Sequence, residues 1–300
     1  MSLVVDEHRE YLADPARLSA YARAIQESVR PGDVVVDLGA GTGILGLLAC
    51  RAGARKVYAI DAGGMIEVAR AICRANGFAD RVEFVKDFST QALLPERVDL
   101  VVADQIGRFG FEAGILQYFD DARARLLKSG GTTIPAALEF WVAPVECPEA
   151  FGRIDFWASA PAGFDFGPAR DWAVNTGYPV KFRPEQLLGQ PVAALALDLS
   201  QPAPTRLELA ATIEASRGGI LHGVGGWFSA RLSPSVSMTN SPLAADSINR
   251  RNVFFPIDRP VPLSPGDRVD ITMRILPRDP VVAWDVVVRR NDGQQARHSH

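Results

Sequence analysis

Three alternate glycines, Gly39, Gly41 and Gly43, follow an apolar run and could hold a nucleotide-like ligand. Residues 34–38 are rich in β-branched side chains, as in a strand buried on both faces, and helix-forming residues continue over 44–50. Because glycine has no Cβ, the loop between strand and helix can turn sharply, and a ligand can lie against the amides of the helix N-terminus. The pattern predicts a strand, a ligand-binding loop and a helix.

Asp37 indicates which ligand this loop would take. Gly41-x-Gly43-x-x-Gly46 also satisfies a dinucleotide-binding fingerprint, which on its own is a weak signal. A carboxylate two residues before Gly39 would repel a pyrophosphate in the loop, whereas it suits a cofactor that carries an ammonium and a sulfonium. We therefore predict S-adenosylmethionine as the cofactor. The alternative is a glycine-rich turn that binds no ligand.

Strand-like and helix-like segments alternate over the first 130 residues and predict an α/β fold with a doubly wound parallel sheet. Apolar residues at helical spacing predict a helix over 11–29, and further helices are expected over 65–75 and 112–127. Strands are expected at 56–60, 82–85 and 98–103. Ligands of such sheets bind beyond the C-terminal ends of the strands, so polar residues at those ends are candidates for the site.

Three polar residues that follow strand ends are candidates for nucleoside contacts. Asp61 ends the second strand about twenty residues after the glycines, where a carboxylate can accept hydrogen bonds from both ribose hydroxyls. Asp87 and Thr90 lie beyond the third strand and are candidates for contacts to the adenine amino group. The alternatives are an ordinary helix N-cap for Asp61 and a plain loop role for the other two.

The pattern changes in the second half of the chain. Only Pro15, Pro31 and Pro95 of the 21 prolines precede residue 130, and the others separate short strand-like runs. Many short strands with Pro and Gly turns indicate an antiparallel sandwich or barrel, and 291–300 reads as a frayed polar tail. We expect a ligand-binding domain over 1–135 and an antiparallel domain over 136–300.

Composition excludes several classes of protein. Lys plus Arg at 32 against Asp plus Glu at 35 gives a net charge of −3, so the chain has no global basic field to attract nucleic acid or anionic lipid. Three scattered cysteines, Cys50, Cys73 and Cys147, lack metal-ligand spacing and are expected to be reduced, and no metal site is predicted. No run suggests a signal peptide or a membrane span, so we expect a cytoplasmic location.

These motifs, in order, resemble those of the protein arginine methyltransferase family over most of the chain. Residues 35–45 match the family's cofactor loop, 57–61 its ribose-binding strand end and 94–101 its fourth strand. Upstream, His8-x-x-x-Leu12-x-Asp14-x-x-Arg17 resembles the helix whose arginine pairs with the cofactor's carboxylate. The resemblance implies cofactor contacts for His8 and Arg17 and identifies the chain as a divergent, bacterial-type member.

The resemblance also implies two catalytic residues. In the family, two glutamates after the fourth strand grip the substrate guanidinium, and the matching stretch here runs from Asp104 to Glu112. Two carboxylates on opposite sides of a guanidinium can localise its charge, orient one nitrogen and help it lose a proton. The structural alternative is a solvated strand-end carboxylate for Asp104 and a favourable helix-end charge for Glu112.

Departures from the family pattern fall on the half that would bind the methyl acceptor. Asp104 is shorter than the family's glutamate, Gln105 replaces a tryptophan, and Ile248-Asn249-Arg250 lacks the family's loop histidine. The seven residues before His8 do not carry the Tyr-Phe-x-x-Tyr pattern of the family's lid helix. Residues near 150–170 resemble the arm through which these enzymes dimerise. The resemblance therefore implies a homodimer that methylates a cationic nitrogen, borne by an arginine-like small molecule or by protein arginine.

Other functions remain open at this point. A methyltransferase for a small amine or a metabolite hydroxyl would fit the altered acceptor half. A nicotinamide-dependent dehydrogenase is disfavoured by Asp37 and by the absence of a Ser-x-Tyr-x-x-x-Lys pattern. A non-catalytic partner that keeps the cofactor fold is disfavoured because Arg17, Asp37 and Asp61 are all retained.

Overall fold

The apolar run after Asp33 forms the central strand of a parallel sheet in the computed structural model, which describes residues 4–279 and 281–300. Every residue of this strand is buried, as its β-branched composition predicts. The first half of the chain contains five helices and five strands among these described residues. In chain order they are α1 (Val4–Leu12), α2 (Pro15–Ser28), β1 (Val34–Leu38), α3 (Ile44–Ala52), β2 (Lys56–Ile60), α4 (Met65–Ala75), β3 (Val82–Val85), β4 (Val98–Ala103), α5 (Ile115–Arg125) and β5 (Leu127–Ile134).

The five strands of the first half form one sheet in the order β3-β2-β1-β4-β5, with all neighbours parallel. The predicted doubly wound α/β architecture is therefore confirmed. The sheet order places the C-terminal ends of β1, β2, β3 and β4 along one edge, which brings the loops after these strands together.

The helix predicted over 11–29 is two helices. Asp14 separates α1 from α2, and its side chain accepts a hydrogen bond from the Arg17 backbone N–H at 3.1 Å. Pro15 then occupies the first turn of α2, where it needs no N–H partner. The break has a physical cause, because an N-cap aspartate followed by proline starts a new helix and ends the old one.

The second half is antiparallel, as predicted, and its strands form two sheets among the residues described. Its elements are β6 (Ala137–Val145), α6 (Pro148–Asp155), α7 (Gly167–Val174), β7 (Tyr178–Val180), β8 (Val192–Asp198), β9 (Leu207–Glu214), β10 (Gly219–Arg231), β11 (Ser237–Thr239), β12 (Asn252–Leu263), β13 (Arg268–Leu276), β14 (Val281–Arg289) and β15 (Gln295–Ser299). One sheet has the order β7-β12-β10-β6-β8 with β11 on β10, and the other has the order β15-β14-β13-β9. A closed barrel stays a prediction.

The prediction of a frayed tail after residue 291 is wrong. Residues 295–299 form β15, which pairs with β14 so that Ser299 lies opposite Asp285. The His300 ring stacks on the buried Trp284 side chain with centroids 5.3 Å apart. Sequence polarity was misleading because an edge strand with one solvent-facing side is polar at alternate positions.

One buried asparagine links the acidic loop after β4, residues 104–112, to the antiparallel half. Asn240 is 2% exposed, and its Nδ2 donates hydrogen bonds to the backbone oxygens of Arg108, at 2.8 Å, and Arg251, at 3.1 Å. Its Oδ1 accepts a hydrogen bond from the Phe228 backbone N–H at 3.0 Å. The side chain therefore holds together the loop, strand β10 and the start of β12.

We expect Asn240→Ala to lower the free energy of unfolding by about 2–4 kcal/mol, because it leaves several buried backbone groups without partners. Urea denaturation followed by fluorescence measures the change. Asn76→Ala is the matched control, since the exposed Asn76 side chain makes one local hydrogen bond, to Ile72 O. Equal effects of the two substitutions would contradict the linking role.

Candidate active site

The glycine loop after β1 has the backbone that its sequence predicts. Gly39, Gly41 and Gly43 have φ angles of 66°, 53° and 77°, a region that residues with a Cβ rarely adopt. A Cβ on Gly41 would lie 2.4 Å from His8 Cε1, and a Cβ on Gly39 would lie 2.1 Å from Gln105 Nε2. Helix α1 and the acidic loop therefore both pack against the glycines, and His8 lies over Gly41.

Asp37 is a buried carboxylate at the end of β1 with one oxygen unused. It is 1% exposed, and its Oδ2 accepts a hydrogen bond from the Gly46 backbone N–H at 2.9 Å. Its Oδ1 has no hydrogen-bond partner among the residues that the structure describes. Burial, reinforced by the nearby Asp61 charge, raises the pKa of Asp37 to about 7. A buried carboxylate oxygen without a donor fits a cationic ligand.

A cavity of about 240 Å³ lies beyond the ends of β1, β2 and β3 and brings four predicted residues together. Asp61 accepts hydrogen bonds from the backbone N–H groups of Gly41, at 2.8 Å, and Gly63, at 2.6 Å. The predicted cofactor residues in its lining are Gly39, Asp61, Asp87 and Thr90. Phe88, Gln105 and Tyr118 also line it and were not predicted as cofactor contacts. Phe88 is 63% exposed and has the flat apolar surface on which a nucleobase can stack.

The structure places Arg17 against the first candidate catalytic residue. Asp104 follows β4 directly, and its side chain is 9% exposed. Arg17 Nε lies 2.5 Å from Asp104 Oδ2, and its Nη1 donates a hydrogen bond to Tyr11 O at 3.2 Å. Arg17 therefore joins α1, α2 and the acidic loop. Its predicted contact to the carboxylate of a cofactor stays a prediction.

Two further residues contact Asp104, and sequence reasoning assigned neither of them a role there. Arg250 lies before β12, and its Nη2 is 3.0 Å from Asp104 Oδ2. The Tyr21 hydroxyl donates a hydrogen bond to Asp104 Oδ1 at 3.1 Å. Although burial alone would raise the pKa of Asp104, the Arg250 and Arg17 charges lower it below its usual value. Asp104 is therefore ionised at neutral pH.

The sequence carried a signal for one of these two residues. Tyr21 is four residues after Arg17, so the two share a face of α2, and the partner of one is within reach of the other. Arg250 is 146 residues from Asp104 in the chain, and no local pattern connects them.

Glu112 is held by the amides of its own loop. Its oxygens accept hydrogen bonds from the backbone N–H groups of Arg108, Phe109, Gly110 and Phe111, at 3.0–3.3 Å. Gly107 and Gly110 have φ angles of 83° and 121°, and a Cβ on Gly107 would lie 2.4 Å from Glu112 Oε2. The loop is thus wrapped around the second carboxylate.

Two buried aromatic side chains anchor this loop. Phe109 and Phe111 are 0% and 1% exposed, and Phe109 packs edge to face on Phe140 and Phe255 with centroids 5.6 and 5.3 Å apart. The alternation of buried phenylalanines with glycines sets the path from Asp104 to Glu112. The acidic loop is therefore rigidly packed against the antiparallel half.

Comparison with family models supports both halves of this arrangement. The model of ribosomal protein L11 methyltransferase matches residues 20–137, and the arginine methyltransferase oligomerization subdomain matches residues 137–288. The chain belongs to the protein arginine methyltransferase family. It is an S-adenosylmethionine-dependent methyltransferase, as its glycine loop and Asp37 predict.

Relatives of this family are similar along nearly the whole chain. Protein arginine N-methyltransferase 6 of Xenopus tropicalis is 29% identical over 289 residues, which cover 92% of this chain and 85% of the relative. The Trypanosoma brucei PRMT1 enzyme-prozyme heterotetrameric complex with AdoHcy matches with a TM-score of 0.88 at 21% identity, covering 98% of this chain and 96% of that chain. Protein arginine methyltransferase 10 of Arabidopsis thaliana, in an open conformation, matches with a TM-score of 0.82 over the same shares. The two structures show that the fold is shared.

The residues present fit S-adenosylmethionine. Asp37 offers a buried oxygen without a donor, the glycine loop has room for no side chain, and Asp61 lines a cavity of nucleoside size. Asp61, Asp87 and Thr90 would hold the nucleoside, and Asp37 would face a positive charge. When bound, the cofactor supplies an electrophilic methyl group on a sulfonium.

Groups of three or more His, Cys, Asp or Glu side chains with metal-binding geometry do not occur in 4–279 and 281–300. No helix within these ranges is both long and apolar enough to span a membrane.

The pKa of Asp37 predicts a pH dependence of cofactor binding. The pKa of Asp37 in the free protein is about 7, so at lower pH its carboxyl is neutral and attracts the ammonium group of the ligand less. Between pH 8 and pH 6 we expect the affinity for S-adenosylhomocysteine to fall about tenfold. Isothermal titration calorimetry at each pH measures it.

Two variants assign this effect to one residue. Asp37→Asn should bind more weakly at pH 8 and lose the dependence, because the amide carries no charge. His8→Gln removes the imidazole that lies over Gly41 and should keep the dependence. The assignment to Asp37 fails if the profile flattens in His8→Gln and persists in Asp37→Asn.

Proposed function

We propose that the protein transfers the methyl group of S-adenosylmethionine to a guanidinium nitrogen of arginine. The observation that carries this proposal is the placement of the acidic loop beside the cofactor cavity. Gln105, which follows Asp104, lines the cavity, and the loop continues to Glu112 immediately before α5. The named relatives are protein arginine N-methyltransferases, which favours arginine over a small amine or a hydroxyl as acceptor.

The two carboxylates supply what a guanidinium needs in order to react. A guanidinium is a delocalised cation whose nitrogens are poor nucleophiles, so its charge must be drawn away from the reacting nitrogen. Hydrogen bonds from the acceptor to Asp104 and Glu112 would hold the positive charge on the nitrogens that face these groups and orient the remaining one. That nitrogen would accept the methyl group that bound S-adenosylmethionine supplies, and the electron pair of the carbon–sulfur bond would stay with sulfur. The nitrogen would release one proton, through a facing carboxylate, to solvent, so the product remains a monocation.

Glu112 is the residue best prepared for this role. Four backbone N–H groups point at its carboxylate, so the oxygens are fixed before the acceptor binds. Such prior ordering lets a charged group act in the transition state without reorganisation at that moment. Asp104, in turn, is kept ionised by Arg17 and Arg250.

Glu112→Gln tests this mechanism. We expect kcat for methylation of Nα-acetylarginine amide to fall about 100-fold or more, because the variant removes a charge that acts on the reacting group. Affinity for S-adenosylhomocysteine should stay within about twofold, since Glu112 does not line the cavity. Transfer of radiolabelled methyl measures turnover, and calorimetry measures the cofactor affinity.

Two further measurements complete the test. Glu149→Gln, on the exposed side of α6, is the control and should leave kcat unchanged. Asp104→Asn should also lower kcat. Near-parental turnover in both Glu112→Gln and Asp104→Asn would overturn the two-carboxylate mechanism. The acceptor should then be sought by screening small amines, hydroxyl compounds and cell lysate.

We also propose that the protein is a homodimer that associates through the arm. The matched family model is described as an oligomerization subdomain, and residues 148–174 carry a cluster of exposed aromatic side chains. Phe156, Phe164 and Trp172 are 54%, 70% and 81% exposed. Large exposed aromatics in one segment are typical of a protein interface. Trp157, in contrast, packs on Phe156 and Phe166 within its own chain.

The exposed aromatics give a direct test of association. We expect Trp172→Asp to convert a dimer to a monomer at micromolar concentration, because a charge replaces a large apolar contact. Light scattering coupled to size exclusion measures the mass. Leu93→Asp, at an 84% exposed residue of the first half, is the control and should remain dimeric. A wild-type protein that is monomeric under these conditions would refute the proposal.

A further inference from the structure

Donors already reach both oxygens of Asp104, and two of the three donor residues are cationic. In the described part of the chain, Oδ1 is reached by the Tyr21 hydroxyl at 3.1 Å and by Arg250 Nη1 at 3.4 Å. Oδ2 is reached by Arg17 Nε at 2.5 Å and by Arg250 Nη2 at 3.0 Å. The Arg17 and Arg250 guanidinium groups already pair with the charge of Asp104, whereas the donors around Glu112 are neutral backbone amides. An acceptor guanidinium can therefore bind to Asp104 only if one of these donors leaves.

Two of the three donor residues are fixed in place. Tyr21 is 0% exposed, and its hydroxyl also contacts Ala103 O at 3.0 Å. The Arg17 side chain is 7% exposed, makes the shortest contact to Asp104 and also holds Tyr11 O. Both lie on α2, whose start is capped by Asp14. Their departure would require movement of the helix.

Arg250 is the donor that can leave. Its side chain is 13% exposed, and its contacts to Asp104 and to Gly107 O are 3.0–3.4 Å long. The backbone on both sides is fixed, because Asn249 N–H donates to Asp14 Oδ2 at 2.7 Å and Asn252 Nδ2 donates to Asn240 O at 2.6 Å. A change of side-chain rotamer, rather than of the loop, would therefore release Asp104.

We propose that Arg250 is an internal guanidinium that occupies the acceptor position on Asp104 and sets the affinity for the acceptor by competing with it. This inference rests on the proposed function. Arg250 makes the two-nitrogen contact to one carboxylate that a substrate arginine would make. It also reaches Gly107, which lies directly beside the Glu112 carboxylate.

Charge repulsion gives a second reason why the acceptor guanidinium would replace Arg250 rather than bind beside it. Arg17 and Arg250 already place two cations on Asp104, and a third guanidinium beside them would be repelled. Replacing Arg250 by an acceptor guanidinium keeps the number of charges and hydrogen bonds at Asp104 unchanged. Acceptor binding must then offset the transfer of Arg250 into solvent, away from Gly107 O and from the Tyr11 and Phe228 rings. An acceptor without a guanidinium does not restore the two-nitrogen contact.

Acceptor binding to Arg250 variants tests the proposal. The protein saturated with S-adenosylhomocysteine is titrated with Nα-acetylarginine amide by calorimetry. We expect Arg250→Ala to bind about tenfold more tightly than wild type, because the competing guanidinium is gone. The acceptor affinity of Arg250→Lys should lie between those of wild type and Arg250→Ala, since an ammonium cannot make the paired contact. Arg251→Ala removes an exposed neighbouring cation and is the matched control, expected to bind as wild type does.

The kinetic counterpart is a lower KM for Nα-acetylarginine amide in Arg250→Ala with kcat within about threefold of wild type. Unchanged or weaker acceptor binding in both Arg250→Ala and Arg250→Lys overturns the inference, because Arg250 then holds Asp104 in its working position. Arg250→Gln, which keeps an amide donor for Asp104, serves where Arg250→Ala does not fold.

The outcome is separable from that of the proposed function. Wild-type turnover on arginine with unchanged acceptor affinity in the variants leaves the methyltransferase assignment standing and removes the role of Arg250. Tighter binding of the arginine derivative to Arg250→Ala, without turnover in any variant, supports the role of Arg250 and removes the assignment of arginine methylation.

Discussion

The site depends on the ionisation of Asp104 inside the protein. A carboxylate with a side chain only 9% exposed loses most of its hydration, and this cost must be offset by charged partners. The partners come from separate parts of the chain: Arg17 and Tyr21 from α2, and Arg250 from the segment before β12. The same ion pairs that keep Asp104 charged therefore hold the N-terminal helices, the parallel sheet and the antiparallel half in one arrangement.

The acidic loop shows how backbone and side chains together prepare a catalytic group. Its glycines allow the chain to curl around Glu112, and its phenylalanines fix the curl by inserting into the core shared with β6 and β12. As a result, the amides that would otherwise need water are directed at the Glu112 carboxylate. Residues with no chemistry of their own thus decide where the second charge lies.

The cofactor side and the acceptor side differ in how they are built. The cofactor side consists of short stretches at successive strand ends, each with its own glycines or acids, so its chemistry is encoded within a few residues. The acceptor side is assembled by contacts between distant residues, such as Asn240 with Arg108 and Arg250 with Asp104. This difference explains why the departures from the family pattern in the Ile248–Arg250 stretch had no interpretation until the side chain of Arg250 was seen against Asp104.

The sequence by itself determined the strands and helices of the first half, the glycine loop and the identity of the cofactor, because each is encoded within a short stretch of the chain. The β-branched run of β1, the missing Cβ atoms at Gly39, Gly41 and Gly43, and the charge of Asp37 act locally. The break of the first helix at Asp14 was misread although Asp followed by Pro is a local signal for a helix start. The order of the tail over 295–299 was misread because an edge strand depends on the strand it pairs with. Only the tertiary structure decided which groups face Asp104. Ion pairs between residues 146 positions apart leave no periodic trace in the sequence, because the fold, and not the spacing, brings their charges together.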